Sequence, residues 1–324
     1  MNTFVTGGTG FIGSHLVDYL LESGNITEVR CLVRNREKWL RRKDYVRISG
    51  DLHSISLLHK AMENIDVVFH LAGLVMAKSQ KEFDRANVEA TENILLVAKK
   101  AGVKKLVILS SLAAAGPANG KPLTESDPMN PVSRYGRSKK KMEEMIHQAA
   151  LGDMTVSVLR PPAVYGPRED QIYSFFKIMN YGLCPIVGDG EKPEISMVYV
   201  DDVIQGISKA AALENPGIHT YFVSGPEIYN WNQIRRAAGK ALGKKTLPIR
   251  IKPKLVKKLS SVVETSASFF GKYPVFNKEK ANEMIHEWTC SNEKAIEEID
   301  YKPGYSLEDG LQKTIAWYKK HHWL

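Results

Sequence analysis

The chain has 324 residues, 43% hydrophobic and 25% charged, with a formal net charge of +9 at pH 7. That composition supplies apolar surface for a large core, excludes disorder, collagen or coiled coil as the main state, and at this length predicts about two domains. No apolar run approaches the roughly 18 residues of a membrane span, and the basic residues come without finger spacing, an aromatic RNP strand or a basic region before heptads, so no nucleic-acid partner is expected.

Thr3–Thr6 is predicted as a strand and Phe11–Ser23 as a helix stopped by Gly24. Strands follow at Glu28–Val33, Val46–Ser49, Asp66–Leu71, Lys105–Ser110 and Thr155–Leu159, with helices at Phe83–Ala101 and Tyr135–Ala150. These runs are nearly all apolar and alternate with helices, which predicts an α/β doubly wound parallel sheet covered on both faces. After Arg160 the rhythm loosens. Pro161–Pro167 and Gly182–Pro193 read as loops, Ile172–Tyr181 and Asp201–Leu213 as helices, and Thr220–Val223 as one more strand. Cys31, Cys184 and Cys290 form neither a disulfide framework nor a CxxC pair, and the histidines show no HxxxH or HExxH spacing, so no metal site is expected. The first strand starts too early for a leader, and a cytoplasmic location is expected.

Three stretches carry chemistry. Thr6–Gly13 reads TGGTGFIG, directly after a strand and opening a helix. Gly7 permits the tight turn, Gly10 the approach of backbone to a pyrophosphate and Gly13 close helix–strand packing, with the helix N-terminus facing the phosphates. At the end of the second strand, where an acid would bind the ribose hydroxyls of NAD, stands Arg34, with Arg36 and Lys38 near it. That favours the 2′-phosphate of NADP(H) over NAD(H). Tyr135 and Lys139 lie four apart on one helix face, a spacing in which the ammonium is expected to draw the phenol down from its reference of about 10. A tyrosine so tuned can give or take a proton at a carbonyl or carbinol oxygen, and Ser111, at a strand C-terminus, supplies a hydroxyl that would bind the same oxygen.

Together with HLAG at His70–Gly73, LSS at Leu109–Ser111, LRPPAVYGP at Leu159–Pro167 and MVYVDDV at Met197–Val203, these motifs resemble the extended short-chain dehydrogenase/reductase superfamily over nearly the whole chain. Within its NAD(P)-dependent epimerase/dehydratase family, the chain looks most like the dihydroflavonol-reductase and 3β-hydroxysteroid-dehydrogenase branch. The resemblance implies a Rossmann domain, residues 1–165 with 196–225, and a smaller interleaved substrate domain, residues 166–195 with 226–324. It implies catalytic roles for Ser111, Tyr135 and Lys139, with Lys139 also on the nicotinamide ribose. Cofactor contacts are implied for Gly7, Thr9, Gly10, Phe11, Ile12, Gly13 and Arg34. Asp51 and Leu52 would lie at the adenine, and Leu71, Ala72, Gly73 and Asn87 along the channel. Pro161, Pro162, Ala163 and Val164 would pack beside the nicotinamide. A homodimer through the helices near 83–101 and 135–150 is expected.

The chain also departs from its relatives. Leu112-Ala113 follow Ser111 where dehydratases carry Asp-Glu, Ala115 replaces a tyrosine common in nucleotide-sugar enzymes, and Ile195 stands where an arginine often contacts a nucleotide. These departures favour hydride transfer to a ketone, or from a secondary alcohol, on a largely apolar small molecule. Arg168, Lys177 or Lys192 would have to supply the charge a sugar nucleotide needs. The alternatives are a nucleotide-sugar epimerase and a non-catalytic NADP-sensing protein. His70 reads as a structural strand-end residue. Lys252–Phe270 combines basic and apolar positions, as a substrate-domain helix with a solvated face or as a membrane-surface helix.

Overall fold

The computed structural model describes residues 1–269, 274 and 277–324, the side chains of 266–269 excepted; Phe270, the end of the basic segment, lies outside them. The first half of the chain runs β1 (Asn2–Thr6), α1 (Phe11–Glu22), β2 (Glu28–Val33), β3 (Val46–Ser49), α2 (Ile55–Ala61), β4 (Val67–His70), α3 (Gln80–Asp84), α4 (Ala90–Lys100), β5 (Lys105–Leu109), α5 (Leu112–Ala115), α6 (Arg134–Gln148) and β6 (Thr155–Arg160). Beyond it come β7 (Ala163–Tyr165), α7 (Tyr173–Asn180), β8 (Leu183–Val187), β9 (Ile195–Tyr199), α8 (Val200–Ala211), β10 (Gly217–Phe222), β11 (Ile228–Tyr229), α9 (Trp231–Leu242), β12 (Leu247–Ile251), α10 (Pro253–Phe269), α11 (Lys278–Met284), α12 (Glu293–Ile299) and α13 (Leu307–Lys320).

Seven strands form one parallel sheet in the order β10-β6-β5-β4-β1-β2-β3. Successive side chains of a strand face opposite sides, so Val5 and Phe4 of β1 serve different cores. Val5 packs with Leu16 and Val17 of α1 and Val203 and Ile207 of α8. Phe4 packs with Leu58 of α2, Ile94 of α4 and Met142 and Ile146 of α6. Helices on both faces are why the strands read as continuous apolar runs. β3 closes one edge and is mostly exposed, with Arg47 on it, a charge that discourages pairing with another chain.

A third core joins Tyr165, Ile186 and Tyr199 of β7, β8 and β9 to Ile234 of α9 and Leu311 and Ile315 of α13. Here β9 pairs with β7 in parallel and with β11 antiparallel, and β8 pairs with β12. The chain's end closes this region with aromatic rings. Trp39, Trp317 and Trp323 lie 5.2–5.6 Å apart, Trp323 stacks on Tyr318 at 5.3 Å, and the Tyr173 hydroxyl donates to the Trp323 carbonyl.

One expectation is extended and one needs correction. The helical run predicted over Phe83–Ala101 is continuous through Lys100 but starts earlier, at Gln80, capped by the Ser79 hydroxyl, and Arg85–Glu89 form a π turn within it, between α3 and α4. Pro161–Pro167 and Gly182–Pro193 are not wholly loops but contain β7 and β8; Pro185 is tolerated because β8 has a partner on one side only. β7 and β9 pair in the small three-stranded sheet with β11.

Candidate active site

β1 and β4 lie side by side, but the chain leaves β1 toward β2 and β3 and leaves β4 toward β5 and β6. The crevice outside their C-terminal ends is where such a sheet takes a ligand. Thr6 and His70 are register partners at its floor. Gly7 has φ +76°, and a Cβ on it would lie 2.6 Å from the Ala72 nitrogen; one on Gly13 would lie 2.1 Å from the Gly7 carbonyl oxygen. Turn, helix and neighbouring strand end therefore interlock only as bare backbone. Gly10, the N-cap of α1, is different: a Cβ there would meet only the Gly7 oxygen, at 3.3 Å, and otherwise open space. The first turn of α1 carries no acid, so its free N–H groups and positive dipole end await an anion. Thr9, Phe11 and Ile12 flank this cradle partly exposed, Phe11 and Ile12 leaning on the third core. The cradle fits the pyrophosphate of a dinucleotide.

Arg34 and Arg36 stay exposed and, among the described residues, out of any ion pair, whereas Lys38 is bonded to Asp170 at 2.6 Å. Asp51 is exposed and accepts from the His53 N–H at 2.8 Å, and the Leu52 carbonyl is held by Asn93. Leu71 hangs from the Thr6 carbonyl, and Ala72 and Gly73 continue past the glycine turn. Asn87, expected along the channel, is 1% exposed, and its amide is spent on the Leu74 N–H and carbonyl and on Ser138. The π turn brings Asn87 to this position, where it shapes the 73–74 loop from behind.

Ser111 is the N-cap of α5, its hydroxyl accepting from the Ala113 N–H. Gly136 lets α6 press against α5, since a Cβ there would sit 2.3 Å from the Ala113 carbonyl oxygen. That close approach brings Tyr135 to Ser111, whose hydroxyl interacts with the phenol. One turn on, Lys139 is 5% exposed and donates to the Leu109 carbonyl at 2.8 Å, close behind Gly73. Another turn on, Glu143 is fully buried and clamps Arg160 through both its oxygens, while Ser110 donates to it. Arg160 lies 5.5 Å over the Phe222 ring, and its Nη1 is buried without a hydrogen-bond partner among the described residues.

The electrostatics reverse the expected tuning. Burial pushes the Tyr135 phenol up to about 12, with Glu283 adding and Ser111 opposing. Burial brings the Lys139 ammonium down to about 8, with Glu143 holding it up against that trend. Near neutral pH the pair is therefore a neutral phenol, able to donate, beside a lysine that still carries its proton. The loop after β6 completes the wall: the Pro161 carbonyl accepts from the Leu112 N–H, Pro162 and Val164 are partly buried, and Ala163 is exposed.

The other candidates have structural partners. His70 sits between the Thr6 and Thr91 hydroxyls at 2.7 and 2.9 Å, and burial drives it down to about 3, so it stays neutral. Arg168 is tied to Asp18 and Ser14 of α1, and Lys192 to Glu194 and Glu287. Asp202 accepts from the Gly304 and Tyr305 N–H groups. Among the described residues no cluster of His, Cys, Asp or Glu could hold a metal, and no helix is long and apolar enough to cross a membrane. Sequence reasoning missed Gly136, Glu143 and Arg160. Glu143 was within reach of it, lying four residues past Lys139 on the same helix face.

This arrangement is that of a nicotinamide-dependent enzyme of the extended short-chain dehydrogenase/reductase type. The chain belongs to the NAD dependent epimerase/dehydratase family, which it matches over residues 3–230. It is 27% identical over 324 residues to the ceramide reductase of Caulobacter vibrioides, covering 99% of this chain and 95% of the relative. It is 31% identical over 236 residues to the 4-hydroxy-2-methyl-3-oxo-4-farnesyl-3,4-dihydroquinoline-1-oxide ketoreductase of Stigmatella aurantiaca, covering 69% and 68%. The solved UDP-glucose 4-epimerase of Thermotoga maritima, with UDP-glucose, shares the fold with a TM-score of 0.81 at 24% identity, over 99% of this chain and 100% of that one.

Proposed function

We propose that this enzyme transfers hydride between NADP(H) and a ketone or secondary alcohol on a largely apolar small molecule. The observation that carries the reading is the convergence of Ser111, Tyr135 and Lys139 behind the glycine cradle, with Leu112 and Ala113 where an elimination would need acids. Bound at the cradle, the nicotinamide supplies or accepts the hydride. Ser111 donates a hydrogen bond to the substrate oxygen. Tyr135 gives that oxygen its phenolic proton during reduction and takes it back during oxidation, and the Lys139 ammonium stabilises the phenolate in between. Lys139 and Gly73 would hold the nicotinamide ribose, Asp51 and Leu52 the adenine, and Arg34 the 2′-phosphate. Residues 1–165 with 196–225 would carry the dinucleotide, and 166–195 with 226–324 most of the substrate.

The apolar substrate is supported by charges already spent. Arg168 and Lys192 are engaged with carboxylates, so of the three candidate charges only Lys177, exposed on α7 and in no ion pair among the described residues, is left for a diphosphate, and desolvating a poorly paired charge is costly. The reductase and ketoreductase named above point the same way. Calorimetry with NADP present, against UDP, UDP-hexoses and long-chain ketones, tests the substrate class; micromolar UDP-sugar binding with no response to any ketone would make the chain an epimerase. Tyr135→Phe is expected to lower turnover roughly 10²-fold or more while leaving dinucleotide affinity nearly unchanged. Unchanged turnover would remove Tyr135 from the chemistry, and absent turnover in the wild type with intact NADP binding would favour the sensing alternative.

A further inference from the structure

We infer that α10, with the strand that leads into it, is a docking surface for an anionic lipid bilayer. Val256 and Ser260 turn into the molecule, Val256 packing with Val187 and Ala281. Leu255, Leu259, Val262 and Val263 follow the i, i+4, i+7, i+8 spacing of a single helical stripe, and they are not in the core: each is between 39% and 60% exposed. Leu247 and Ile249 of β12 are exposed as well, Leu247 at 69%. A surface helix normally turns its apolar stripe inward. This one shows apolar side chains on a second face, and such a patch marks an interaction site.

The charge around the stripe chooses the occupant. Between Lys244 and Lys258 the chain carries seven cations and no carboxylate, against a net charge of +9 for the whole protein. At 100° per residue, Lys254 and Lys258 border the stripe on the side away from Val256, and all four lysines from Lys252 to Lys258 are exposed. A flat apolar stripe edged by lysines is complementary to a membrane interface, where the leucines enter the acyl boundary and the lysines meet phosphate. The surface also lies near the site. α10 packs on α11, whose Glu279 accepts from the backbone N–H and the Nε of Arg134, the residue before Tyr135. The same Arg134 donates to the Lys78 carbonyl, at the end of a loop in which Leu74, Val75 and Met76 are exposed.

The test is co-sedimentation of the full chain with vesicles of phosphatidylcholine alone and of phosphatidylcholine mixed with phosphatidylglycerol. Binding is expected to the anionic vesicles, to weaken as salt rises, and to fall about tenfold or more in Lys254→Glu/Lys258→Glu. Leu255→Ser/Leu259→Ser should weaken it too, while Lys100→Glu/Lys104→Glu, an equal charge change on another face, should not. The salt titration needs only the wild type, so it stands even if a variant fails to fold. No binding to either vesicle, or equal losses in the control variant, would overturn the inference. So would concentration-dependent self-association that Leu255→Ser/Leu259→Ser abolishes, since it would give this face to a second copy of the chain. No substrate enters the experiment, so its failure leaves the proposed reaction standing.

Discussion

The glycine loop and the tyrosine cluster lie at the same end of one sheet, yet opposite materials set their shapes. Around Gly7 and Gly13 the geometry rests on missing atoms, because a single methyl on either would collide with backbone that has nowhere to go. Around Tyr135 it rests on polar atoms stacked in depth: Asn87 behind the 73–74 loop, Leu109 on Lys139, and Glu143 and Arg160 beneath both. A steric site tolerates no added volume but carries little buried charge. A polar site has room but depends on every partner being present.

The largest expected effect breaks the polar side. Glu143→Ala leaves the Arg160 guanidinium buried and unpaired, and denaturant unfolding should show a loss of about 3–5 kcal/mol. Next comes the steric side: Gly13→Ala should cost on the order of 3 kcal/mol and abolish dinucleotide binding in a fluorescence titration, because the Gly7 turn must rebuild. If Gly13→Ala binds NADPH normally, the contrast fails. A smaller effect tests the rim of the cradle. NADPH should bind more tightly than NADH, and Arg34→Ala should narrow that gap by about 1–3 kcal/mol, the worth of a hydrogen bond to a charged group; equal wild-type affinities would remove Arg34 from cofactor choice.

The last prediction sharpens the comparison through pH. With Lys139 down to about 8, the rate of reduction should fall by about tenfold per pH unit above that point as the ammonium is lost. Stability should move the other way. Between about pH 8 and the ordinary lysine value near 10.4, the unfolded chain holds a proton at Lys139 that the folded chain has released, so this group's contribution to stability rises with pH across that window. A rate and a stability that decline together there would mean that Lys139 is not the group being titrated.

The steric side was nearly all visible in the sequence, because close backbone approach requires glycine and glycine spacing can be read directly. The parallel sheet was visible for a similar reason: strands covered on both faces are unbroken apolar runs. The polar side was only half visible. Tyr135 and Lys139 announce themselves by helical spacing, but the direction of the phenol's shift depends on burial, which spacing does not report. Arg160 ends the otherwise largely apolar run TVSVLR, and its partner Glu143 lies on another element, so only the fold brings the pair together. The π turn at Arg85–Glu89 left no mark on the hydrophobic period. β7 was hidden by the prolines that flank it, and β8 by Pro185, which a strand paired on one side can accept.

The indole cluster has an optical consequence. Trp39 shares the 34–40 segment with Arg34, and its backbone N–H donates to the Thr9 carbonyl at 3.4 Å, which seats the residue beside the cradle's rim. Its neighbours Trp317 and Trp323 come from the far end of the chain, with ring centres within 5.6 Å of it. Rings this close and held at fixed angles couple their electronic transitions. The near-ultraviolet circular dichroism of the protein should therefore be dominated by these three of its five tryptophans, and NADPH bound at the proposed cradle should change it. Replacing Trp323 with leucine should flatten that band, so the molecule carries its own spectroscopic gauge of cofactor arrival.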